Sequence, residues 1–281
     1  MIHTAVIFIK PDSTHAFKTV EKLLSALKET SITPQIASAE ENISFFKQQF
    51  PNIENKLFKD IHTDNSIAFS IGGDGTFLFT VQQVATHNIP IIAIHQGNRG
   101  FLTPFLPIDI PSIIKDISEN NLNIRNIPFW KAEIENIQDP ILFINEFILQ
   151  RHSYAKMVKY TLNIENIGSM EGRADGVIFS SSTGSTAYNL TAGGSIIHPD
   201  VQAISITPIC PHNLKHKAVI VPPCNITLTL NNDNAGIGYD GFSEHTLDEG
   251  KTIRISPSEH TLKYITPRNS NYLDHLNNKI F

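Results

Sequence analysis

Ser66-Ile-Ala-Phe-Ser-Ile-Gly-Gly-Asp-Gly-Thr76 is the stretch from which the fold can be read. Ser66–Ile71 is a near-continuous apolar run, the pattern of a parallel strand covered on both faces. A Gly-rich turn at 72–75 follows, and the spacing predicts a helix from Thr76 to His87 and then a second buried strand at Ile89–Ile94. Toward the N-terminus, Thr4–Ile9 reads as an opening strand. Ser13 or Thr14 can cap a helix whose apolar positions Phe17, Val20, Leu23, Leu24 and Leu27 keep helical spacing, and a short strand is expected near Ile32 to Ala37. Strand and helix in alternation specify a doubly wound α/β domain, expected over residues 1–110.

Beyond about residue 125 the rhythm changes. Strands are expected at Phe129–Ile134, Ile141–Arg151, Lys156–Glu165, Gly176–Ser180, Ile204–Ile209, Ala218–Val221, Ile226–Leu230 and Thr252–Ile255, with Ser185–Gly193 as the convincing helix. Pro, Gly and Asn clusters separate them, which points to a mostly antiparallel β domain over 111–264, a sandwich or distorted barrel. A helix over Asp109–Asn121 would bridge the two domains, and a tail from about 265 to 281 would pack back on the first.

Length and charge narrow the function classes. With 281 residues the chain can bury a large core and needs no disulfide or metal staple. Twenty-two basic against 27 acidic residues give a net charge of −5, which argues against a nucleic-acid-binding protein while leaving room for a local basic pocket. Cys210 and Cys224 are too few for a disulfide framework and wrongly spaced for a zinc knuckle, so two buried, reduced thiols are expected. No apolar run approaches the ~18 residues of a membrane span. Thr4–Ile9 is followed at once by Lys10-Pro11 and does not read as a signal peptide, so the expected address is the cytoplasm.

Three segments carry candidate chemistry. In Gly72-Gly73-Asp74-Gly75-Thr76 the glycines let backbone N–H groups approach phosphate oxygens at a helix N-terminus. An acid inside such a nest is out of place unless it binds a cation or takes a proton from a hydroxyl attacking phosphate. The structural alternative is an Asp-Gly turn with Asp74 capping the helix. In Arg173–Gly194 a strand, a hydroxyl-rich turn and a helix start form a second candidate mouth. There the groups of Thr183 to Thr186 could hold a polar ligand and Tyr188 could stack or donate, or Tyr188 could simply lie in the core. Asn145-Glu146 interrupts an apolar strand, so one or both side chains need a partner, either ribose hydroxyls or a backbone group. No GxxxxGK[ST], no GxGxxG after a strand and no G-x-S-x-G occurs.

Together these segments resemble the NAD kinase family. Its GGDGT box matches at 72–76 without change, and its Asn-Glu/Asp pair matches at Asn145 and Glu146. Its long DG…TPTGSTAY…AGG…HP signature matches from Asp175 to Pro199, with Ser181 and Ser182 in place of Thr-Pro and Ser195 in place of a Pro. Similarity continues to Pro208–His212. The Asn-x-Gly-x-Leu-Gly-Phe-Leu loop of the family departs here to His95-Gln-Gly-Asn-Arg-Gly-Phe-Leu102, with His95 and Arg99 at unusual places. A basic stretch becomes Lys215-His-Lys-Ala218, and a late Asp-Gly-Gln box becomes Asp240-Gly-Phe242.

The resemblance implies transfer of the γ-phosphoryl of ATP, or of polyphosphate, to the 2′-hydroxyl of the adenosine ribose of NAD, giving NADP. It implies Asp74 as the base. Gly72, Gly73 and Thr76 would face the donor phosphates. NAD would meet Gly75, Phe101, Asn145, Glu146, Lys156, Arg173, Asp175, Thr183, Thr186, Ala187, Tyr188, Asn189, Leu190 and Thr191. Asn145 and Glu146 would hold ribose hydroxyls and Asp175 the nicotinamide end. It further implies a divalent metal, Mg²⁺ above all, carried mainly by nucleotide phosphates rather than by protein ligands, an active site between the two domains, and a homodimer or tetramer. A lipid kinase sharing the GGDGT box and a non-catalytic NAD-binding regulatory module are the competing readings. Asp175–Pro199 speaks against the first and an intact Asp74 against the second.

Overall fold

The computed structural model of the chain describes residues 2–11, 13–61, 63–97, 100–135, 137–153, 156–213, 215–268 and 271–280; Arg99 lies outside them. The chain divides into two compact units, Met1–Ile127 with His260–Phe281, and Pro128–Glu259.

The first unit runs β1 (Thr4–Ile9), α1 (Thr14–Leu27), β2 (Thr33–Ser38), α2 (Glu40–Gln49), β3 (Glu54–Leu57), β4 (Ser66–Gly72), α3 (Asp74–Val84), β5 (Ile91–His95) and α4 (Ile110–Ser118). Its strands are parallel in the order β3-β2-β1-β4-β5, with Val6 opposite Ala68 and Ile71 opposite Ile94. The strand order reverses between β1 and β4, so the turn leaving β4 opens at the crevice where doubly wound sheets take their ligands. Both faces of β1 are buried. Ala5, Ile7 and Ile9 join a core with Val20, Leu23 and Leu27 of α1 and Ile110, Ile113 and Ile117 of α4. Val6 and Phe8 point the other way and are buried on the face that α3 covers.

Local chemistry sets the helix ends. Ser13 Oγ accepts from Ala16 N (3.3 Å) and caps α1. At α3 the cap is Gly73, so the helix begins two residues before the expected Thr76, with Asp74 in its first turn. α2 and β3 lie outside the expected elements; α2 buries only Phe46 among polar neighbours and carries a weak helical stripe. α4 packs wholly within the first unit, which moves the division of the chain from near 110 to Ile127/Pro128.

The second unit contains most of β6 (Ile124–Ile134), then β7 (Ile141–Phe143), β8 (Glu146–Arg151), β9 (Val158–Ile164), β10 (Gly168–Ala174), β11 (Gly176–Ser181), the one-turn α5 (Tyr188–Thr191), β12 (Ile204–Ile209), β13 (Val219–Val221), β14 (Ile226–Leu230), β15 (Ala235–Tyr239), β16 (Phe242–Leu247) and the first half of β17 (Thr252–Ile265). One antiparallel sheet is ordered β13-β12-β11-β8-β15-β16; the other contains β10-β9-β14-β17. Phe147, Leu149, Val177 and Phe179 of the first share a core with Tyr160, Leu162, Leu228 and Ile253 of the second, so the unit is a β-sandwich. Each of these buried large side chains contributes roughly 2 kcal/mol. The far end of β17 belongs to the first unit, where Tyr264 and Ile265 pair in parallel with Ile91 and Ile92, and α6 (Tyr272–Lys279) closes the chain.

Three expectations change. The helix over 185–193 is a 3₁₀ turn at Gly184–Thr186 followed by α5, broken at Ala187 (φ −91°, ψ −133°). The single strand over 141–151 is two strands parted at Ile144-Asn145. Cys210 is exposed and Cys224 half-exposed rather than buried, because Cys210 follows the end of β12 in a left-handed turn (φ 44°). Among the described residues no helix is long and apolar enough to cross a membrane.

Candidate active site

The Gly-rich turn is built by contacts that a Cβ would forbid. At Gly72 a Cβ would stand 2.3 Å from Thr76 Oγ1, so glycine there lets the Thr76 hydroxyl fold against the turn. Asp74 does not cap its helix. Its carboxylate instead reaches a loop some thirty residues on. Oδ1 accepts from Leu102 N (3.0 Å) and Thr103 Oγ1 (2.9 Å), and Oδ2 accepts from Phe101 N (2.9 Å). Among the described residues Oδ2 therefore keeps an open lone pair, while Oδ1 has both of its own filled. A Cβ at Gly100 would lie 2.2 Å from Asp74 Oδ1, so that glycine permits the approach.

The same loop is pinned from behind. Tyr264 donates to Leu102 O (2.9 Å), and its ring packs on Phe77 of α3. Burial first, and the Asp74 charge second, push its phenol far up, so it stays a neutral donor. His95 Nδ1 lies 2.7 Å from Thr103 Oγ1. Burial lowers the His95 pKa, with Lys279 adding to the fall and Asp74 opposing it.

In the second unit the Asn145-Glu146 pair stands on a buried carboxylate. Asp240, 2% exposed, accepts from Ile144 N (2.9 Å), Asn145 N (2.8 Å) and Glu146 N (3.3 Å), and its own N–H donates to Glu146 O (3.1 Å). Positive φ at Asp240 (45°) and Gly241 (85°) makes the turn that delivers it. This bracket parts β7 from β8. Asn145 and Glu146 are only 6% and 7% exposed, and Asn145 Oδ1 and Glu146 Oε2 have no partner among the described residues. A buried acceptor left unpaired costs about 1–3 kcal/mol, which makes this pair a candidate place for a ligand's donors. Burial, then the Asp240 charge, raises the Glu146 carboxyl to about 8.

The hydroxyl-rich turn closes over this pair. Ser181 N donates to Asn145 O (2.9 Å) and its Oγ donates to Ile144 O, while Thr183 N (3.0 Å) and Gly184 N (3.3 Å) point at the same hydroxyl. A Cβ at Gly184 would lie 2.2 Å from Asn145 O, so glycine brings the turn onto the pair. Thr183, Thr186, Ala187, Tyr188 and Leu190 are half-buried and Thr191 is exposed. Asn189 is different: it is wholly buried, donates to Ser185 O (3.0 Å) and Ser195 O (3.1 Å), and accepts from Thr207 Oγ1 (2.6 Å). Its amide is an internal strut.

The charged residues are spread out. Asp175 is ion-paired to Arg151 (3.1 Å), both about three-quarters buried. Lys156 pairs with Asp233 (3.2 Å) at 64% exposure, and Arg173 is exposed on β10 across from Lys159. Phe242 stacks on Tyr239. Among the described residues no three His, Cys, Asp or Glu side chains come together to hold a metal ion. Asp240, Thr103, Ser181 and Arg151 are the residues that the sequence did not single out for these roles. Asp240-Gly241 is legible as a turn dipeptide, but its partners lie some 95 residues away.

A Gly-rich strand-to-helix turn with a poised carboxylate, and a β-sandwich with unpaired acceptors beneath a hydroxyl-rich turn, define a nucleotide-handling protein of the α/β-plus-sandwich class. Residues 6–122 match the ATP-NAD kinase N-terminal domain and 144–266 the ATP-NAD kinase C-terminal domain. An NAD kinase of Sulfurimonas denitrificans is 32% identical over 226 residues, 79% of this chain and 80% of that protein. One of Clostridium botulinum is 30% identical over 268 residues, 85% and 94%. The chain belongs to the NAD kinase family and is a phosphotransferase. Among solved structures, yeast NADH kinase complexed with NADH shares the fold at TM-score 0.88 and 24% identity, covering 99% of this chain and 87% of that one. An NAD kinase from Archaeoglobus fulgidus in complex with ATP does so at 0.71 and 23%, covering 95% and 94%.

Proposed function

We propose that this NAD kinase moves the γ-phosphoryl of ATP to the 2′-hydroxyl of the adenosine ribose of NAD, with Asp74 Oδ2 taking the hydroxyl proton. The observation that carries this reading is the Asp74 carboxylate, fixed by three donors with one lone pair open, at the first turn of a helix whose N–H groups favour phosphate. As the ribose oxygen forms its bond to phosphorus, the bond to the leaving ADP breaks and Asp74 holds the released proton. Gly72, Gly73 and Thr76 would shape the face toward the donor phosphates, with Gly75 and Phe101 on the NAD side.

Asn145 Oδ1 and Glu146 Oε2 would accept from ribose hydroxyls, which gives the two orphaned acceptors their donors. Thr183, Thr186, Ala187, Tyr188, Leu190 and Thr191 would line the nucleotide. Asn189 would hold that wall from inside rather than touch the ligand. Asp175, steadied by Arg151, would receive the nicotinamide end, and Lys156 and Arg173 would supply positive charge. A divalent metal, Mg²⁺ by our reading, would shield the transferring phosphate. It would be carried mainly on the nucleotide phosphates, whose charge it would offset beside the open Asp74 Oδ2. Two unpaired thiols suit a reducing compartment, and we place the protein in the cytoplasm. Exposed Val219 and Ile220 on the edge strand β13 suit assembly as a homo-oligomer.

The test is NADP formation from NAD with ATP and Mg²⁺, beside Asp74→Asn. We expect turnover in the wild type and a loss of at least about a thousandfold in the variant. Polyphosphate and NADH then fix donor and acceptor preference. NAD binding without turnover under all three conditions would sink the kinase reading and leave a binding module.

A further inference from the structure

Asp74 is not the end of its hydrogen-bond chain. An ionised carboxylate can only accept, so Thr103 Oγ1 must spend its single proton on Asp74 Oδ1, at 2.9 Å. The Thr103 oxygen is then an acceptor toward His95 Nδ1, at 2.7 Å, and His95 must carry its proton on that nitrogen. The imidazole is placed at the end of β5, and a Cβ built on Gly73 would lie 3.8 Å from its Cε1. One ring therefore touches the hydroxyl that orients the base and stands beside the turn that faces phosphate. Thr103 is fully buried, so no water competes for its rotor.

From this juxtaposition we propose that His95 is a positioning residue for phosphoryl transfer: acting through Thr103, it holds the Asp74 carboxylate with Oδ2 aimed at the acceptor hydroxyl. The inference rests on the reading of Asp74 as the base. Without the His95 donor the Thr103 hydroxyl is free to turn away, Oδ1 keeps Leu102 N alone, and the carboxylate gains a rotation about its Cβ–Cγ bond. Misalignment of that kind lowers turnover and leaves ground-state binding of NAD intact. Among the described residues the charged groups acting on the ring are Asp74 on α3 and Lys279 on α6. Protonating His95 would add a cation beside the base.

Full-length protein carrying His95→Leu, His95→Asn, Thr103→Val or Thr103→Ser decides the matter. We expect His95→Leu and Thr103→Val to lose about tenfold to a hundredfold in kcat with KM for NAD within about twofold. The variants that keep a donor or a hydroxyl, His95→Asn and Thr103→Ser, should recover at least fivefold over them. The pH–rate profile of His95→Asn should lack the acid-side inflection below 6.5 that the wild type owes to the imidazole. Wild-type kcat in His95→Leu, or a loss shared equally by the Leu and Asn variants, overturns the proposal. If His95→Leu fails to fold, the profile of His95→Asn decides: an inflection unchanged from the wild type overturns it, and a missing one supports it. Should Asp74→Asn prove as active as the wild type, the assignment of the base fails rather than the role of His95 alone.

Discussion

Asp74 and Asp240 solve the same steric problem for different ends. Each carboxylate crosses to a distant loop and accepts three hydrogen bonds there, Asp74 from Phe101, Leu102 and Thr103, and Asp240 from Ile144, Asn145 and Glu146. Asp240 is 2% exposed and looks only inward, whereas Asp74 is half-exposed at the mouth of a Gly-rich turn. A carboxylate held by three donors is thus a fastener at Asp240, where the wrapping is sealed, and at Asp74, where one lone pair faces out, it is the base we propose above. The sharpest way to break the comparison is Asp74→Asn. It should abolish turnover while costing less than about 1 kcal/mol in denaturant unfolding, because a half-exposed amide can find water for its unmatched N–H. A large loss of stability in that variant would make Asp74 a second fastener.

Asp240→Asn should do the reverse in kind. Its amide N–H₂ would face an N–H of Ile144 or Asn145 where no water reaches, leaving buried donors unpaired. The expected cost is about 2–3 kcal/mol in unfolding free energy, accompanied by weaker NAD binding as Asn145 and Glu146 lose their bracket. Unchanged stability would show that the bracket carries no strain and that the two turns are held by their strands.

The same contrast explains what the sequence could and could not tell. Ser66–Thr76 was legible because strand, turn and helix are contiguous, so one window holds the whole device. The sandwich was legible as strands, and the orphaned Asn145-Glu146 as polar residues in an apolar run. Asp240 was not, since its partners are distant in sequence and only the folded sheet β8-β15-β16 brings them together. β15 itself hid behind Gly236 and Gly238, which dilute its alternation of apolar residues. The helix expected at 185–193 failed for a local reason: Ser185 and Asn189 turn their polar groups on neighbouring backbone, and this competes with continued α-helix. His95 could be seen as unusual in its loop, but its reach to Thr103 could not.

Glu146 sharpens the comparison between the units, because it is a buried acid whose Oε2 has no partner among the described residues. Burial, and then the Asp240 charge, raises its carboxyl from the ordinary 4.5 to about 8 in the fold. Between those values the unfolded chain releases a proton that the folded chain keeps, so stability falls as pH rises, by up to about 1.4 kcal/mol per unit. Gln cannot ionise. The stability of Glu146→Gln relative to wild type should therefore rise from pH 4.5 to 8 and level off above, in urea titrations at a series of pH values. A flat difference would mean that Glu146 is ionised in the fold and paired in a way that burial does not reveal. Asp240→Asn should compress the same window, since removing the Asp240 charge removes the smaller cause of the shift.

Lys156 marks the weak end of the scale and separates a surface pair from a site residue. Its ammonium meets Asp233 at 3.2 Å with both side chains about half exposed or more, the geometry of ion pairs worth little in water. Lys156→Ala should change unfolding free energy by less than about 0.5 kcal/mol. The informative readout is therefore kinetic. If Lys156 serves the nucleotide phosphates, KM should rise severalfold, and the rise should shrink as salt screens the charge over a Debye length of about 8 Å at 0.15 M. A KM unchanged at low salt would return Lys156 to the solvated surface and leave Arg173, exposed on β10, as the other basic residue proposed for the substrate phosphates.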